Sequence, residues 1–218
     1  MEKNLVVTAG QPLYLKVIAK IISYIFHPLF IPTYVFLWLA LRFPFEFAGI
    51  TPTGLMLRKI SVFWITAFFP AFSVFLLWRL KFINSIFLKT QNERIIPYII
   101  IMIFYWWMWY LSRNFSDQPM ALRFFFLGIF YATVPSLILN NFFKISMHAI
   151  GVGAALTFVL LTCFFYQLYL GADIAIITLL VGIVCTSRFI VSDHTNLDVY
   201  SGLIVGALCQ LIAYWVAM

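Results

Sequence analysis

Charge is what this sequence has least of. Its 218 residues include 14 Lys and Arg, 7 Asp and Glu, and 3 His. A soluble domain devotes about a quarter of its residues to charge. Here charged residues make up 10% of the chain and hydrophobic ones 64%, which excludes a soluble globular domain. The composition predicts an all-α fold, a polytopic transmembrane helical bundle forming a single membrane domain. Cysteine is equally scarce. Cys163, Cys185 and Cys209 all fall inside apolar runs, form no metal-ligand spacing and read as packing residues. The start of the chain lacks a basic stretch, a short apolar core and a small-residue cleavage site in succession, so no cleaved signal peptide is expected. No internal repeat and no low-complexity linker is present. The net charge of +7 comes from basic residues scattered at the ends of apolar runs. That placement favours anionic lipid headgroups, not nucleic acid, as the partner.

What is present is a succession of apolar runs. Leu13 to Phe43 is too long for one upright helix and short for two, since a straight span takes about 20 residues. Pro28 and Pro32 interrupt it, which predicts a kinked span or a re-entrant hairpin. His27, next to Pro28, reads as a structural residue satisfying carbonyls freed by the kink. Pro44 to Lys59 reads as a loop. Spans are expected at Ile60 to Trp78, Ile95 to Leu111, Pro119 to Phe143, Ala149 to Leu170, Asp173 to Thr186 and Val199 to Ala217. Arg79 to Arg94, the most polar stretch, reads as an amphipathic connector at headgroup level. Ser112 to Gln118 is a turn and Lys144 to His148 a short polar break. Gly202 and Gly206 stand at the G-x-x-x-G spacing that lets two helices approach closely. Residues 1–85 form the N-terminal membrane segments and 86–218 the remaining core.

One stretch breaks the apolar pattern with reactive side chains. Ser187 to Asp198 reads SRFIVSDHTNLD and holds Ser187, Arg188, His194 and Asp198. A helix starting near His194 would bring the Asp198 carboxylate, four residues on, to the imidazole's face. That arrangement fixes the ring tautomer and makes the other nitrogen a better nucleophile. Arg188 offers a planar fork of donors suited to phosphate, and a helix N-terminus adds backbone N–H groups.

The spacing S-R-x5-H-x3-D resembles the third signature motif of the type 2 phosphatidic acid phosphatase (PAP2) superfamily, which includes vanadium haloperoxidases. The family's second motif reads P-S-G-H. Ser146 and His148 match it, while Ile145 and Met147 replace the proline and glycine. The first motif reads K-x6-R-P. Lys89 and Pro97 match it, but Ile96 precedes the proline and Arg94 lies two residues earlier. Two expected spans separate Lys89 from His148 and two more separate His148 from His194, so all three pieces return to one membrane face.

The resemblance implies a PAP2/haloperoxidase-like core of six or seven spans and a metal-independent lipid-phosphate phosphatase with no cofactor. It implies that His194 attacks phosphorus, Asp198 orients it, and His148 protonates the leaving oxygen and later activates water. Lys89, Arg94, Ser146, Ser187 and Arg188 would hold the phosphate oxygens. Phosphatidic acid, phosphatidylglycerol phosphate, a polyprenyl (pyro)phosphate and a lipid A phosphate all fit as substrate. A phosphotransferase sharing the phosphohistidine step, a lipid-phosphate-binding protein without turnover, and a transporter remain open alternatives.

Sidedness depends on the first apolar run. With six spans, one face carries Lys3, Lys16, Lys20, Arg42, Arg58, Lys59, Arg113 and Arg123. The site's face carries Arg79, Lys81 and Lys144 besides the residues assigned to phosphate. The positive-inside rule then puts the site outside the cytoplasm, in keeping with the resemblance, which implies a bacterial inner membrane. With seven spans the rule does not decide.

Overall fold

The computed structural model of the chain describes residues 11–88, 90–191 and 194–218. Eight α-helices account for most of them: α1 Leu13–Ile25, α2 Ile31–Arg42, α3 Pro52–Arg79, α4 Gln91–Asn114, α5 Met120–Leu139, α6 Met147–Tyr166, α7 Gly171–Val191 and α8 Asn196–Ala217. The last six are long and apolar enough to cross a membrane. The protein is an all-α polytopic bundle, as its composition requires, and an integral membrane protein.

The proline-broken run is the hairpin. Chain direction reverses at the residues around Pro28, where neither helix can continue through the ring. Ser23, near the end of α1, lies against Ser187 and Arg188 in the last turns of α7. At the end of α2, Trp38 and Arg42 both donate to Asp173 Oδ1 in the first turn of α7, at 2.9 and 2.8 Å. The hairpin therefore rises to the C-terminal end of α7 and returns, and its open end lies where α8 also finishes. Lys16 lies in the first turn of α1, at that open end, and Lys20 one turn further along the helix.

Several boundaries differ from the sequence reading. The third helix begins at Pro52, not Ile60. Thr51 caps it by accepting from the Gly54 N–H at 3.1 Å, and Pro52 is pre-set for the first turn. A π-helical turn over Trp64–Phe68, just ahead of Pro70, lets this helix run on to Arg79. Of the polar stretch that follows, residues 80–88 are turns, bends and irregular backbone, with Lys81 and Leu88 in left-handed conformation, and helix resumes at Gln91. The fifth helix stops at Leu139, short of Phe143, because the Asn140 side chain bonds across to the Gln91 carbonyl at 2.9 Å. Gln91 returns the bond to the Asn140 carbonyl at 2.8 Å. The seventh runs on past Thr186 to Val191. Ser187 and Arg188 are thus helical.

The centre of the bundle is α5, α6 and α8. Their buried faces interlock through Phe124, Phe125, Phe126 and Phe158, each fully buried. Helices α6 and α8 run side by side in the same direction, and Gly202 and Gly206 make this possible. A β-carbon on Gly202 would stand 2.8 Å from the Ser146 carbonyl, and one on Gly206 would collide with the Ile150 carbonyl. The close-packing role read from the glycine spacing holds, with α6 as the partner. Its consequence is functional: the N-termini of α6 and α8 are brought level.

Candidate functional site

Three helices begin at the same end of the bundle, and each carries a side-chain cap. Thr90 caps α4, Ser146 caps α6 and Thr195 caps α8. Their free N–H groups and positive dipole ends converge there. The Ser146 N–H donates to the Asp198 carbonyl at 3.0 Å, fastening the entry of α6 to the first turn of α8.

His194 stands immediately before the Thr195 cap. Asp198 is the third residue of α8 and closes a capping box. Its Oδ2 accepts from the Thr195 N–H at 2.7 Å, and Thr195 Oγ1 accepts from the Asp198 N–H at 3.3 Å. The same Oδ2 lies 3.6 Å from His194 Nδ1. The sequence reading placed both residues on one helix face. Instead the ring approaches from outside the helix, because the carboxylate is drawn to the backbone at the cap. At 3.6 Å the two atoms stand too far apart for a hydrogen bond. Both side chains are buried, at 3% and 5% exposure. Burial, followed by the charges of Arg188, Arg94 and Lys144, pushes His194 down to about 3, against a hydrogen bond to the Lys144 backbone. The imidazole is therefore neutral at neutral pH, the form in which a ring nitrogen can attack.

His148 occupies the first turn of α6. Its Nε2 lies 3.0 Å from the Ser23 carbonyl oxygen, and its ring meets the His27 ring edge-on with centroids 5.4 Å apart. Arg188 and His194 are both within reach of its charge. Arg188 donates to Ser23 Oγ at 3.1 Å, and that hydroxyl is 3.2 Å from Ser187 Oγ. Arg94 donates through Nε to the Leu88 carbonyl at 3.0 Å and through Nη1 to the Ile145 carbonyl at 3.4 Å. It also bonds to Tyr98 one turn along α4. Arg94 thus pins the strained Leu88 turn and the entry of α6 while lying within charge reach of Asp198 and His194.

Of the residues singled out in the sequence, His148, His194, Asp198, Arg94, Ser146, Ser187 and Arg188 come together. Lys89 lies outside the described residues. Ser146 is fully buried, and its hydroxyl accepts from the Ala149 N–H at 3.4 Å, which makes it a cap first.

Three participants escaped the sequence reading. His27 accepts from the Leu29 N–H at 3.4 Å instead of satisfying carbonyls, and it packs on His148. Its signal was scarcity: all three histidines of the chain gather at this end. Lys144 adjoins His194, where the reading saw only a polar break. Ser23, one serine in an apolar helix, gave no signal at all. Its carbonyl and hydroxyl oxygens accept from His148 and Arg188.

Among the described residues, no group of three or more His, Cys, Asp or Glu is placed to hold a metal ion. The fold and the site define a polytopic helical membrane protein with a buried histidine–arginine cluster at one mouth. No family model, curated protein or solved structure matches the chain.

Proposed function

We propose that the chain is a lipid-phosphate phosphatase of the PAP2 type. The observation that supports this is the convergence of His194 with Asp198, His148, Arg94 and Arg188, from distant parts of the chain, on a point faced by three helix N-termini. Cationic forks and helix N-termini complement a phosphate and the charge that develops on it during transfer.

Once the ring leaves the Lys144 carbonyl and its proton sits on Nδ1 beside Asp198, His194 Nε2 attacks phosphorus, and the P–N bond forms as the P–O bond to the lipid breaks. Protonated His148 gives its proton to the departing oxygen. Water then attacks phosphorus while His148 takes the water's proton. The P–N bond breaks, releasing inorganic phosphate and a neutral His194. Asp198 stabilises the positive charge on the His194 ring in between. Arg94, Arg188 and Ser187 receive the phosphate oxygens, with Lys89 and Ser146 assigned by motif position. No metal enters these steps. The purified protein should release phosphate from one or more of phosphatidic acid, phosphatidylglycerol phosphate, polyprenyl (pyro)phosphate and lipid A phosphate, equally with and without EDTA. Silence across the panel, or activity that EDTA removes and a divalent ion restores, contradicts the proposal.

The site is assigned to the extracytoplasmic face. The opposite end carries Arg42, Arg58, Lys59, Arg113 and Arg123, against Arg79, Lys81 and Lys144 at the site's end. The three native cysteines are buried, so background labelling is low. A cysteine replacing exposed Asn141 should react with an impermeant reagent on intact cells, and one replacing exposed Ser116 should not. The reverse pattern overturns the orientation.

One contact favours a second reading, a protein that binds lipid phosphate without turnover. His148 Nε2 is taken up by the Ser23 carbonyl, so the proton donor is not free until the hairpin yields. Tight binding without phosphate release separates the two.

A further inference from the structure

Helix α1 reaches the site with its carbonyls foremost. Three helices present their N-termini there, whereas α1 brings the negative end of a helix dipole. The last carbonyls of a helix have no partner within it. Those of Ile22 and Tyr24 take the Phe26 and His27 N–H groups of the turn, at 2.9 and 3.4 Å. The Ser23 carbonyl takes no backbone N–H among the described residues and stands 3.0 Å from His148 Nε2 instead. The Ser23 hydroxyl lies 3.1 Å from Arg188 Nη1 and 3.2 Å from Ser187 Oγ. One residue thus sets two oxygens against three of the groups that the proposed reaction assigns to phosphate and to proton transfer. A helix end with two oxygens so placed is a weak copy of an anion.

The two limbs of the hairpin are held unequally. Along α2, Ile31, Pro32, Val35, Phe36 and Leu39 are buried, and Trp38 and Arg42 fasten its end to Asp173. Along α1 only Ala19 and Ser23 are buried. Leu15, Ile18 and Ile22 of α1 look across an open groove towards Leu179, Gly182 and Ile183 of α7. Buried apolar area is what resists pulling a helix away, and α1 has little of it. Its hold on the site is the polar contacts of Ser23, which another set of oxygens can replace.

We infer that α1 is an internal, displaceable ligand of the anion site. In the resting protein its last turn occupies His148 and Arg188. A phosphate group that binds them expels Ser23 and moves α1 off α7, while the buried α2 stays in place. On the lipid-phosphate reading of the site, on which this rests, the hairpin is an autoinhibitory gate. A ligand shifts the gate only by its greater affinity for the open state, and its apparent affinity is reduced by the fraction of molecules that are open.

The test uses the full-length protein in detergent or vesicles, with inorganic phosphate as the probe and chloride at equal ionic strength as the control. Hydrogen–deuterium exchange is the readout, so no turnover is needed. Phosphate should speed exchange across residues 23–31 and slow it at the starts of α6 and α8. A ligand that only rigidified the site would slow all three.

Ala19→Phe supplies a second arm. Ala19 is 2% exposed and lies one turn before Ser23, at the contact with α7. A larger side chain overfills that contact and pushes α1 outward. Residues 23–31 should then exchange fast before phosphate is added. The phosphate concentration that half-protects the starts of α6 and α8 should fall roughly tenfold, as for a gate closed about nine-tenths of the time. If α1 instead merely supports the site, the variant binds phosphate more weakly.

Residues 23–31 that are indifferent to phosphate or protected by it overturn the gate. So does an Ala19→Phe variant that binds phosphate no more tightly. Phosphate release from a lipid phosphate by a protein whose hairpin never loosens removes the gate and keeps the phosphatase. Loosening in a protein that releases no phosphate keeps the gate and removes the phosphatase.

Discussion

The two ends of the bundle use their few charges in opposite ways. At the end where α2 finishes and α7 begins, carboxylates meet arginines. Arg42 Nε lies 2.8 Å from Asp173 Oδ1, and Arg58 Nη2 lies 2.6 Å from Asp117 Oδ2. At the site's end, Glu93 and Asp198 are bound into the capping boxes of α4 and α8, where they hold backbone N–H groups. Arg94 there donates to carbonyls, and Arg188 to a serine hydroxyl. The first end pairs Arg42 and Arg58 with carboxylates, while the second places its carboxylates on backbone and gathers cations around two histidines. Under the proposed function, the second arrangement is the one suited to receive a phosphate.

Four changes sharpen or break this contrast, in descending order of effect. His194→Ala should abolish phosphate release in protein that still folds, because no other group supplies the nucleophile. Ordinary turnover by that variant removes the mechanism. Arg188→Ala and Arg94→Ala should each lower kcat/KM roughly tenfold to a hundredfold, about 1.5–3 kcal/mol for a charge-assisted hydrogen bond. Arg58→Ala, at the far end, should leave kcat/KM unchanged while lowering stability, since Arg58 also bonds Gln118 and lies over the Phe115 ring. If Arg58→Ala impairs catalysis as much as Arg188→Ala, the two ends do not differ as described.

The third change is Ser23→Ala, which removes the hydroxyl that receives Arg188. The bond from the Arg188 guanidinium is charge-assisted, worth about 1.5–3 kcal/mol, so KM should fall by up to about a hundredfold if Ser23 occupies the anion's place. A rise in KM would make Ser23 a ligand of the substrate instead. The fourth is acidification of the substrate-free protein. His194, pushed down to about 3 in the fold, has an ordinary value of 6.5 when unfolded. The unfolded chain binds the extra proton first, so this group's contribution to stability falls as pH drops from about 6.5 towards 3. Its imidazole NMR signal should hold steady from pH 8 to 5. A midpoint near 6.5 would mean the ring is neither buried nor surrounded by cations.

Much of the site was legible because its residue types are rare in an apolar chain. His194, Asp198, Arg188 and His148 stood out for that reason, and counting spans between them placed them at one end. The G-x-x-x-G pair was legible because small residues at that spacing have one common use in membranes. The geometry of the His194–Asp198 contact was not. Spacing alone does not reveal that Thr195 would cap the helix and hold the carboxylate at 3.6 Å from the ring. The hairpin's direction was equally hidden. Prolines mark a break, but only packing against α7 determines that the chain turns back and brings Ser23 and His27 into the cluster. Ser23 was invisible in principle, since its contribution includes a backbone carbonyl, which every residue possesses.

The central claim is that His194 is the atom acceptor in phosphoryl transfer, with His148 managing the proton. An aryl phosphate with a good leaving group needs no acid in the first step, so His148→Ala should still be phosphorylated by it and then stall for want of a base. Mass spectrometry after an alkaline quench should find one phosphate on His194, stable in base and lost in acid, and none in the His148→Ala, His194→Ala double variant. Phosphate on a different residue, or continued aryl phosphate turnover by the double variant, would contradict the account.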